Sequence, residues 1–324
     1  MRNKMDIKVE YKDKQGNVTN PEYSLSELAF VKHLACAGMH YAPRAQKLLR
    51  IISMFLHYNP YMQRQAFYNN RFSEPPICFS DPTEKGQFSN LAGKAIADFL
   101  SKKINGSIYT VNYEAAMRMH IPPIPLSNNG KQVKRPDLLA FSKDECFAIE
   151  AKGYSSGGCA NMKKHKAQSM AGGIKVNFSI ASVSYNLYNE VKCKYHDPFN
   201  DNVPYDNELL KRLTKKYYNG LLDFLNPEYF SYQKVKIQGE EFYEVTLINN
   251  RFRNYFINIP FFIPFEWLEY YQPSIIIPIN IFEYAENGIT NEIEPFIFES
   301  KEQIGDTYID NDRIGIRIRG YHLL

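Results

Sequence analysis

The sequence predicts a mixed α/β fold in which a core of order αβββαβ lies between N-terminal helices and a β-rich C-terminal extension. Three observations lead to this prediction. An apolar stripe at helical spacing runs through residues 84–103, two short apolar runs flank a polar tetrad at 142–145, and strand-like runs dominate after residue 227. The expected parts are a mainly helical accessory region at 1–75, the core at 76–225 and an acidic β-rich region at 226–324.

The core elements follow from periodicity and from turn residues. The helix over 84–103 ends at Asn105-Gly106, and a strand follows over 107–113. Residues 120–135, rich in Pro and Asn, are expected to be a loop. Two strands then flank residues 142–145, a helix covers 160–170, and a buried strand covers 176–187. These elements in chain order give the predicted mixed central sheet.

The flanking regions differ from each other in character. Apolar residues at helical spacing from Ser24 onward, with Glu27 three residues later, predict a capped N-terminal helix. A helix over 208–225 follows the last strand of the αβββαβ order and ends the core region. After it, the sequence predicts a hairpin over 232–248 and further strands at 255–259, 275–282, 293–298 and 314–319.

Composition limits the functional classes. The chain has 324 residues, 44% of them hydrophobic, which fits a globular protein with a sizeable core. It has neither an apolar run of the roughly 18–20 residues that span a bilayer nor an N-terminal signal-peptide pattern, so no membrane partner is expected. Five scattered cysteines form no CxxC pair, and free thiols in a reducing cytoplasm are the simplest explanation.

Charge is distributed unevenly along the chain. Residues 1–216 carry 31 Lys/Arg against 19 Asp/Glu, a balance of +12, whereas residues 217–324 carry 8 against 16, a balance of −8. A basic first part would suit contact with a polyanion such as a nucleic acid. Uneven solvation of the surface explains the same numbers equally well.

The hairpin around residues 142–145 places acidic side chains opposite each other. A symmetric four-residue loop pairs Phe141 with Cys146, Leu139 with Ala148 and Asp137 with Glu150. Because side chains alternate between the faces of a strand, Lys152 lies on the same face as Glu150. The hairpin is therefore expected to hold two carboxylates and an ammonium together.

Two opposed carboxylates on an apolar hairpin require compensation, because like charges destabilise a strand pair. A Mg²⁺ ion would provide it, since this cation prefers oxygen ligands. A neighbouring lysine could orient or deprotonate a water, or stabilise charge in a transition state. The alternative is a surface hairpin whose Asp137 and Glu150 are solvated beside Lys152.

Pro136-Asp137 followed by Glu150-Ala151-Lys152 resembles the motif of the PD-(D/E)XK phosphodiesterase superfamily, the restriction-endonuclease-like nucleases. The resemblance covers residues 84–187, about a third of the chain, and includes the element order. It implies that Asp137, Glu150 and the Ala151 carbonyl bind Mg²⁺, with Mn²⁺ as a substitute, and that Lys152 is catalytic. Many members also carry an acid on the first helix. Glu84 is preferred to Asp98 for this role, although Glu84 could simply interact with the helix dipole.

Basic and polar side chains near the motif are candidate nucleic-acid contacts. Lys134 and Arg135 directly precede it, and Lys163, Lys164 and Gln168 lie on the helix after it. A solvated lysine-rich face explains this last group equally well.

The resemblance implies a Mg²⁺-dependent endonuclease that cleaves DNA, most similar to a type II restriction enzyme or a similar defence nuclease. A homodimer and a companion methyltransferase would be expected with such an enzyme. The alternatives are a recombination, repair or RNA nuclease, and a non-catalytic nucleic-acid-binding protein of the same fold.

Overall fold

A computed structural model of the chain describes residues 4–39, 50, 53–54, 57–76, 81–157, 161–197, 206–227, 230–246, 272–288, 293 and 306–319. The fold is mixed α/β, with a mixed central sheet and additional antiparallel sheets, as the sequence predicts at this level. In these ranges, every helix is too short or too polar to span a membrane.

The strands of the described residues fall into three sheets. In chain order they are β1 (Lys4–Lys12), β2 (Val18–Thr19), β3 (Glu22–Ser26), β4 (Tyr109–Asn112), β5 (Ser127–Asn128), β6 (Lys131–Gln132), β7 (Leu138–Phe141), β8 (Cys146–Gly153), β9 (Phe178–Tyr185), β10 (Lys192–His196), β11 (Ser231–Ile237), β12 (Glu240–Thr246), β13 (Ser274–Pro278), β14 (Thr307–Ile309) and β15 (Gly315–Arg317).

The helices of the same residues are α1 (Glu27–Cys36), α2 (Arg64–Tyr68), α3 (Pro82–Asn105), α4 (Tyr113–Met119), α5 (Met162–Ser169), α6 (Asn207–Leu222) and α7 (Ile281–Asn287), with 3-10 turns at Asn59–Tyr61 and Asp223–Leu225. The Asp81 carboxylate accepts hydrogen bonds from the backbone of Thr83 and Glu84 and so caps the long helix α3. The helix ends at Gly106, whose φ of 65° is left-handed, so the predicted end of this helix is confirmed.

The central sheet has eight strands in the order β2-β1-β10-β9-β8-β7-β4, with β3 also paired to β1. The pairs β8–β9 and β1–β10 are parallel, and the other pairs of this sheet are antiparallel. The elements α3, β4, β7, β8, α5 and β9 follow each other in the predicted order. The helix α4 and the small hairpin β5–β6 are inserted between β4 and β7.

Several features differ from the sequence-based expectation. Strands β1–β3, which precede the helices expected in the N-terminal region, join the central sheet, and Ser26 rather than Ser24 caps α1. The loop expected at 120–135 contains β5–β6, and the strand expected at 275–282 is divided between β13 and α7. The strand predicted at 255–259 and most of that at 293–298 lie outside the described residues.

The central sheet is covered on both faces. An added Cβ at Gly153 of β8 would lie 1.8 Å from the carbonyl oxygen of Ser89, so the odd-numbered residues of β8 face α3. On the other face, Lys166 of α5 donates hydrogen bonds to the backbone oxygen (2.6 Å) and the hydroxyl (2.7 Å) of Ser179, which pairs with Ala148. The even-numbered residues of β8 therefore face α5.

The C-terminal strands form a separate five-stranded sheet of order β11-β12-β13-β15-β14, in which all pairs are antiparallel. Helix α7 packs on α6, and β14 and β15 contact α1. Some apolar residues of this sheet, such as Val245, Ile275 and Ile277, continue the core of the central sheet and its helices, whereas Ile237, Phe242, Ile276 and Ile309 form a second, smaller cluster. The predicted boundary at residue 226 therefore lies close to a change of sheet.

Candidate active site

The β7–β8 hairpin holds the register that the sequence predicts. Phe141 pairs with Cys146, and Leu139 pairs with Ala148. One residue before β7, the backbone nitrogen of Asp137 donates a hydrogen bond to the carbonyl oxygen of Ile149 at 3.0 Å, which continues the pairing. This ladder places Asp137 beside Glu150 at the open end of the hairpin.

Three charged side chains meet at this end. The Lys152 ammonium lies 2.6 Å from Oε1 of Glu150 and 3.1 Å from Oδ2 of Asp137. The same Oδ2 accepts a hydrogen bond of 3.0 Å from the backbone nitrogen of Ala151, which fixes the Asp137 carboxylate against β8. The structure therefore brings together the two carboxylates and the lysine that the sequence singled out.

The Glu150 carboxylate is buried, and the ammonium near it, that of Lys152, also contacts Asp137. The Glu150 side chain is 0% exposed, and its Oε1 is ion-paired with the Lys152 ammonium at 2.6 Å, whereas its Oε2 has no hydrogen-bond partner. Burial, reinforced by the charge of Asp137, raises the pKa of Glu150 to about 8. Burial also disfavours the Lys152 ammonium, but the two carboxylates outweigh it and raise the pKa of Lys152.

This donor set fits a hard divalent cation. Asp137 and Glu150 provide carboxylate oxygens, the ligands that Mg²⁺ prefers. A cation would also provide a partner for Oε2 of Glu150, which has no hydrogen bond.

A histidine and a tyrosine extend the site along β8. Tyr154 continues the even-numbered row of Glu150 and Lys152, and its hydroxyl is 3.2 Å from Nε2 of His165 on α5. His165 is 7% exposed, and its Nδ1 has no hydrogen-bond partner. Burial and then the Lys152 ammonium lower the pKa of His165, so the ring is neutral at pH 7.

Glu84 lies apart from this cluster. Helix α3 crosses β8 at Gly93, where an added Cβ would lie 2.4 Å from the Lys152 carbonyl carbon. Glu84 is nine residues earlier, about 14 Å along the helix axis, and its Oε1 is 3.5 Å from His57 Nε2. Since α3 also packs on the face opposite to Glu150, the structure does not bring Glu84 to the two carboxylates.

Asp98, the second candidate on α3, belongs to a buried ionic network. The network joins α1, α3, α6 and the segment before β15, and its members are Lys32, His33, Asp98, Lys102, Tyr217, Asp310 and Asp312. His33 Nδ1 is 2.6 Å from Asp98 Oδ2, and Lys32 Nζ is 2.7 Å from carboxylate oxygens of Asp310 and Asp312. Asp98 is therefore held by this network.

The network contains a geometric group that could hold a metal ion. Single ligand atoms of His33, Asp98 and Asp310 lie within 4.8 Å of one another. However, the ammonium of Lys102 contacts Asp310 and lies 3.6 Å from Asp98. Burial would raise the pKa of Asp98, but Lys102 and His33 outweigh it and lower this pKa to about 2. Because lysines already neutralise the carboxylates, we interpret the group as structural.

The predicted nucleic-acid contacts divide into two groups. Lys134, Lys163 and Lys164 are exposed, as a phosphate contact requires. Arg135 is instead engaged with Glu114, its Nη2 2.6 Å from Oε2, and Gln168 donates a hydrogen bond of 3.2 Å to the Arg135 carbonyl oxygen. Arg135 and Gln168 therefore hold in place the segment that leads to Asp137.

Sequence reasoning missed a cation on α3. An added Cβ at Gly38 would lie 2.9 Å from Nζ of Lys94 and 2.6 Å from the side chain of Leu138, which follows Asp137. Burial lowers the pKa of Lys94, and the charge of Asp137 opposes this effect. Only the helical stripe around Ala92 and Ile96 could have signalled a half-buried lysine at this position. For Tyr154, only the spacing of two residues from Lys152 in the sequence could have indicated a place in the site.

Comparison of the chain with family models, with curated proteins and with solved structures found no match in any of the three. The arrangement of side chains must therefore support any functional conclusion.

Proposed function

We propose that this chain is a Mg²⁺-dependent endonuclease of the PD-(D/E)XK type that hydrolyses phosphodiester bonds in DNA. One observation carries the proposal. The buried Glu150 carboxylate and the Asp137 carboxylate meet at one end of the hairpin and share the ammonium of Lys152. Two carboxylates with one ammonium leave a negative charge, which is costly at a buried position unless a proton or a further cation neutralises it.

Each residue of the cluster has a defined task in this proposal. Asp137, Glu150 and the Ala151 carbonyl would hold the cation, with Mn²⁺ able to replace Mg²⁺. The bound cation would lower the pKa of a water and neutralise charge on the phosphate. Because its raised pKa keeps Lys152 an ammonium at neutral pH, this residue would donate to the phosphate and stabilise developing charge rather than remove a proton.

The proposed class of nuclease is based on the family resemblance and on the distribution of charge along the chain. The balance of +12 over residues 1–216, with exposed lysines on α5, favours a polyanionic substrate. A type II restriction enzyme or similar defence nuclease remains the proposed class. The homodimer and the companion methyltransferase stay predictions.

Cleavage of plasmid and genomic DNA tests the proposal. We expect discrete fragments with Mg²⁺ and none with EDTA, with Glu150→Ala or with Lys152→Ala. Asp144→Ala is the matched control, because Asp144 is an exposed acid in the turn of the same hairpin. A smear instead of fragments would indicate a nonspecific nuclease.

Two other outcomes would contradict the proposal. Cleavage of RNA but not of DNA would reassign the substrate. Nucleic-acid binding without cleavage of any substrate, and without calorimetric binding of Mg²⁺ or Mn²⁺, would favour the non-catalytic alternative.

A further inference from the structure

An exposed two-stranded hairpin projects from the chain just before the candidate active site. We call residues 126–133 the finger. Its strands β5 and β6 pair Ser127 with Gln132 and Asn128 with Lys131. At its base, the Val133 backbone nitrogen donates a hydrogen bond of 3.1 Å to the Leu126 carbonyl oxygen. All six residues between these two are exposed.

The tip of the finger is a tight turn with a defined shape. Asn129 and Gly130 have φ values of 49° and 73°, both in the left-handed region. Two consecutive left-handed residues form the type I′ turn that suits a two-residue hairpin. The finger therefore has an ordered tip, although both of its strands are short.

The base of the finger is anchored to the protein core. Ile124 and Leu126 pack against the main apolar cluster. Beyond β6, Arg135 is held by Glu114 and by Gln168, with donor–acceptor distances of 2.6 and 3.2 Å. Asp137 follows two residues later. The finger is thus fixed in position relative to the Asp137–Glu150–Lys152 cluster, whereas its tip extends into solvent.

The charge and the size of the finger indicate which partner it fits. Lys131 in the finger and Lys134 directly after it are exposed bases, whereas Arg118 and Arg135 are paired with Glu114. Three residues from the base to the tip span about 10 Å. The major groove of B-form DNA is about 12 Å wide and 8.5 Å deep and admits a two-stranded ribbon. The exposed amides of Asn128 and Asn129 are of the type that hydrogen-bonds to base edges there.

We propose that the finger enters the major groove of duplex DNA and contributes to sequence selection next to the cleaved bond. This inference rests on the proposed function and narrows its substrate to B-form duplex DNA. Duplex RNA would not fit, because its major groove is too narrow for side chains to read.

A shortened finger tests this inference. Deleting Ser127, Asn128, Lys131 and Gln132 leaves the Asn129-Gly130 turn directly between Leu126 and Val133. We expect this variant to bind a cognate DNA duplex about 10- to 100-fold more weakly than wild type, by fluorescence anisotropy in Ca²⁺. Its thermal melting and its calorimetric Mn²⁺ binding should be unchanged, because neither the core nor the carboxylates are altered.

Point variants separate base reading from general attraction. Asn128→Ala should relax the fragment pattern with little change in salt dependence. Lys131→Ala should reduce the slope of log affinity against log salt by about one, whereas Lys234→Ala, an exposed lysine on β11, should not.

The outcomes distinguish this inference from the proposed function. Unchanged affinity and fragment pattern in the shortened variant would overturn the role of the finger even if the enzyme cuts DNA. Preferred binding of duplex RNA, or no binding of duplex DNA by wild type, would also overturn it. A wild-type protein that binds duplex DNA through the finger but binds no cation would support the finger and refute the nuclease.

Discussion

Cation binding should release a proton from Glu150. Without a cation, burial and the charge of Asp137 raise the pKa of Glu150 to about 8, so the carboxyl is protonated at pH 7. A divalent cation binds only the carboxylate, and binding must therefore expel the proton. A pKa of about 8 predicts the release of about 0.9 protons per cation at pH 7 and about 0.1 at pH 9.

The apparent affinity should change with pH for the same reason. Below the pKa of Glu150, each decrease of one pH unit should weaken cation binding about tenfold, because the proton competes with the cation for the carboxylate. Binding at pH 7 should thus be about tenfold weaker than at pH 9. Calorimetric titration with Mn²⁺ in buffers of different ionisation enthalpy measures both the affinity and the released protons.

Two variants make the measurement specific. Glu150→Gln keeps the size of the side chain but has no proton to release, so the pH-dependent release should disappear together with most of the affinity. Asp144→Asn, in the exposed turn of the same hairpin, should behave as wild type. If wild type binds the cation at pH 7 without releasing a proton, or if Glu150→Gln releases as many, the assignment of Glu150 as a buried ligand is refuted.

Three further predictions concern stability and are measured by thermal or chemical unfolding. In EDTA, the raised pKa of Glu150 contributes stability that is fully present below about pH 4.5 and is lost as pH rises through about 8. Between these pH values, the stability of Glu150→Gln relative to wild type should therefore increase by roughly 5 kcal/mol at most. An equal difference in stability between the two proteins at pH 5 and at pH 8 would contradict this. Gly93→Ala should destabilise the protein by about 2 kcal/mol or more, because the added Cβ would lie 2.4 Å from the β8 backbone. Gly86→Ala, in open space on the same helix, should be neutral or should stabilise the protein by up to about 1 kcal/mol. Asp98→Asn should destabilise the protein by roughly 3–5 kcal/mol, because it unpairs buried charges. Lys8→Met, which breaks the exposed pair with Glu190, should have a much smaller effect, and similar costs for both variants would contradict the network.

The geometry of the hairpin could be predicted from the sequence because it depends on local rules. Strand alternation has a period of two, and a symmetric turn fixes which residues oppose each other. Placing Phe141 opposite Cys146 therefore also placed Asp137 beside Glu150, and the observed pairing confirms this register. The burial of Glu150 also requires β9 and α5, and it could not be deduced from the hairpin alone.

The finger illustrates a signal that was present but weak. Asn129-Gly130 is a strong hairpin turn, but its neighbours are polar and show no apolar alternation. Proline residues on one side also favoured a loop. The hairpin forms because Ile124 and Leu126 pack on the core and Arg135 pairs with Glu114, and these contacts join distant parts of the chain.

Contacts between distant segments account for most of what the sequence did not predict. Strand β1 pairs with β10, more than 180 residues away, and the two strands are parallel, so no turn connects them. In the ionic network, Lys32 contacts Asp310 and Asp312 although 278 and 280 residues separate them. A lysine in a sequence is usually assigned to the surface, and only its partners in space can keep it buried.

The acid on the first helix shows how a local rule can mislead. Counting helical positions placed Glu84 on the apolar side of α3, and this side does face the sheet. However, α3 covers the face of β8 to which Gly153 points, while Glu150 and Lys152 point to α5. An acid on the buried side of α3 is therefore separated from the cluster by the sheet itself. Near Asp137, α3 instead provides the ammonium of Lys94, which lies close to Gly38 and whose pKa is lowered by burial, an effect that the charge of Asp137 opposes. If the hairpin does bind a cation, its remaining ligands should be water and substrate oxygens rather than an acid of this helix.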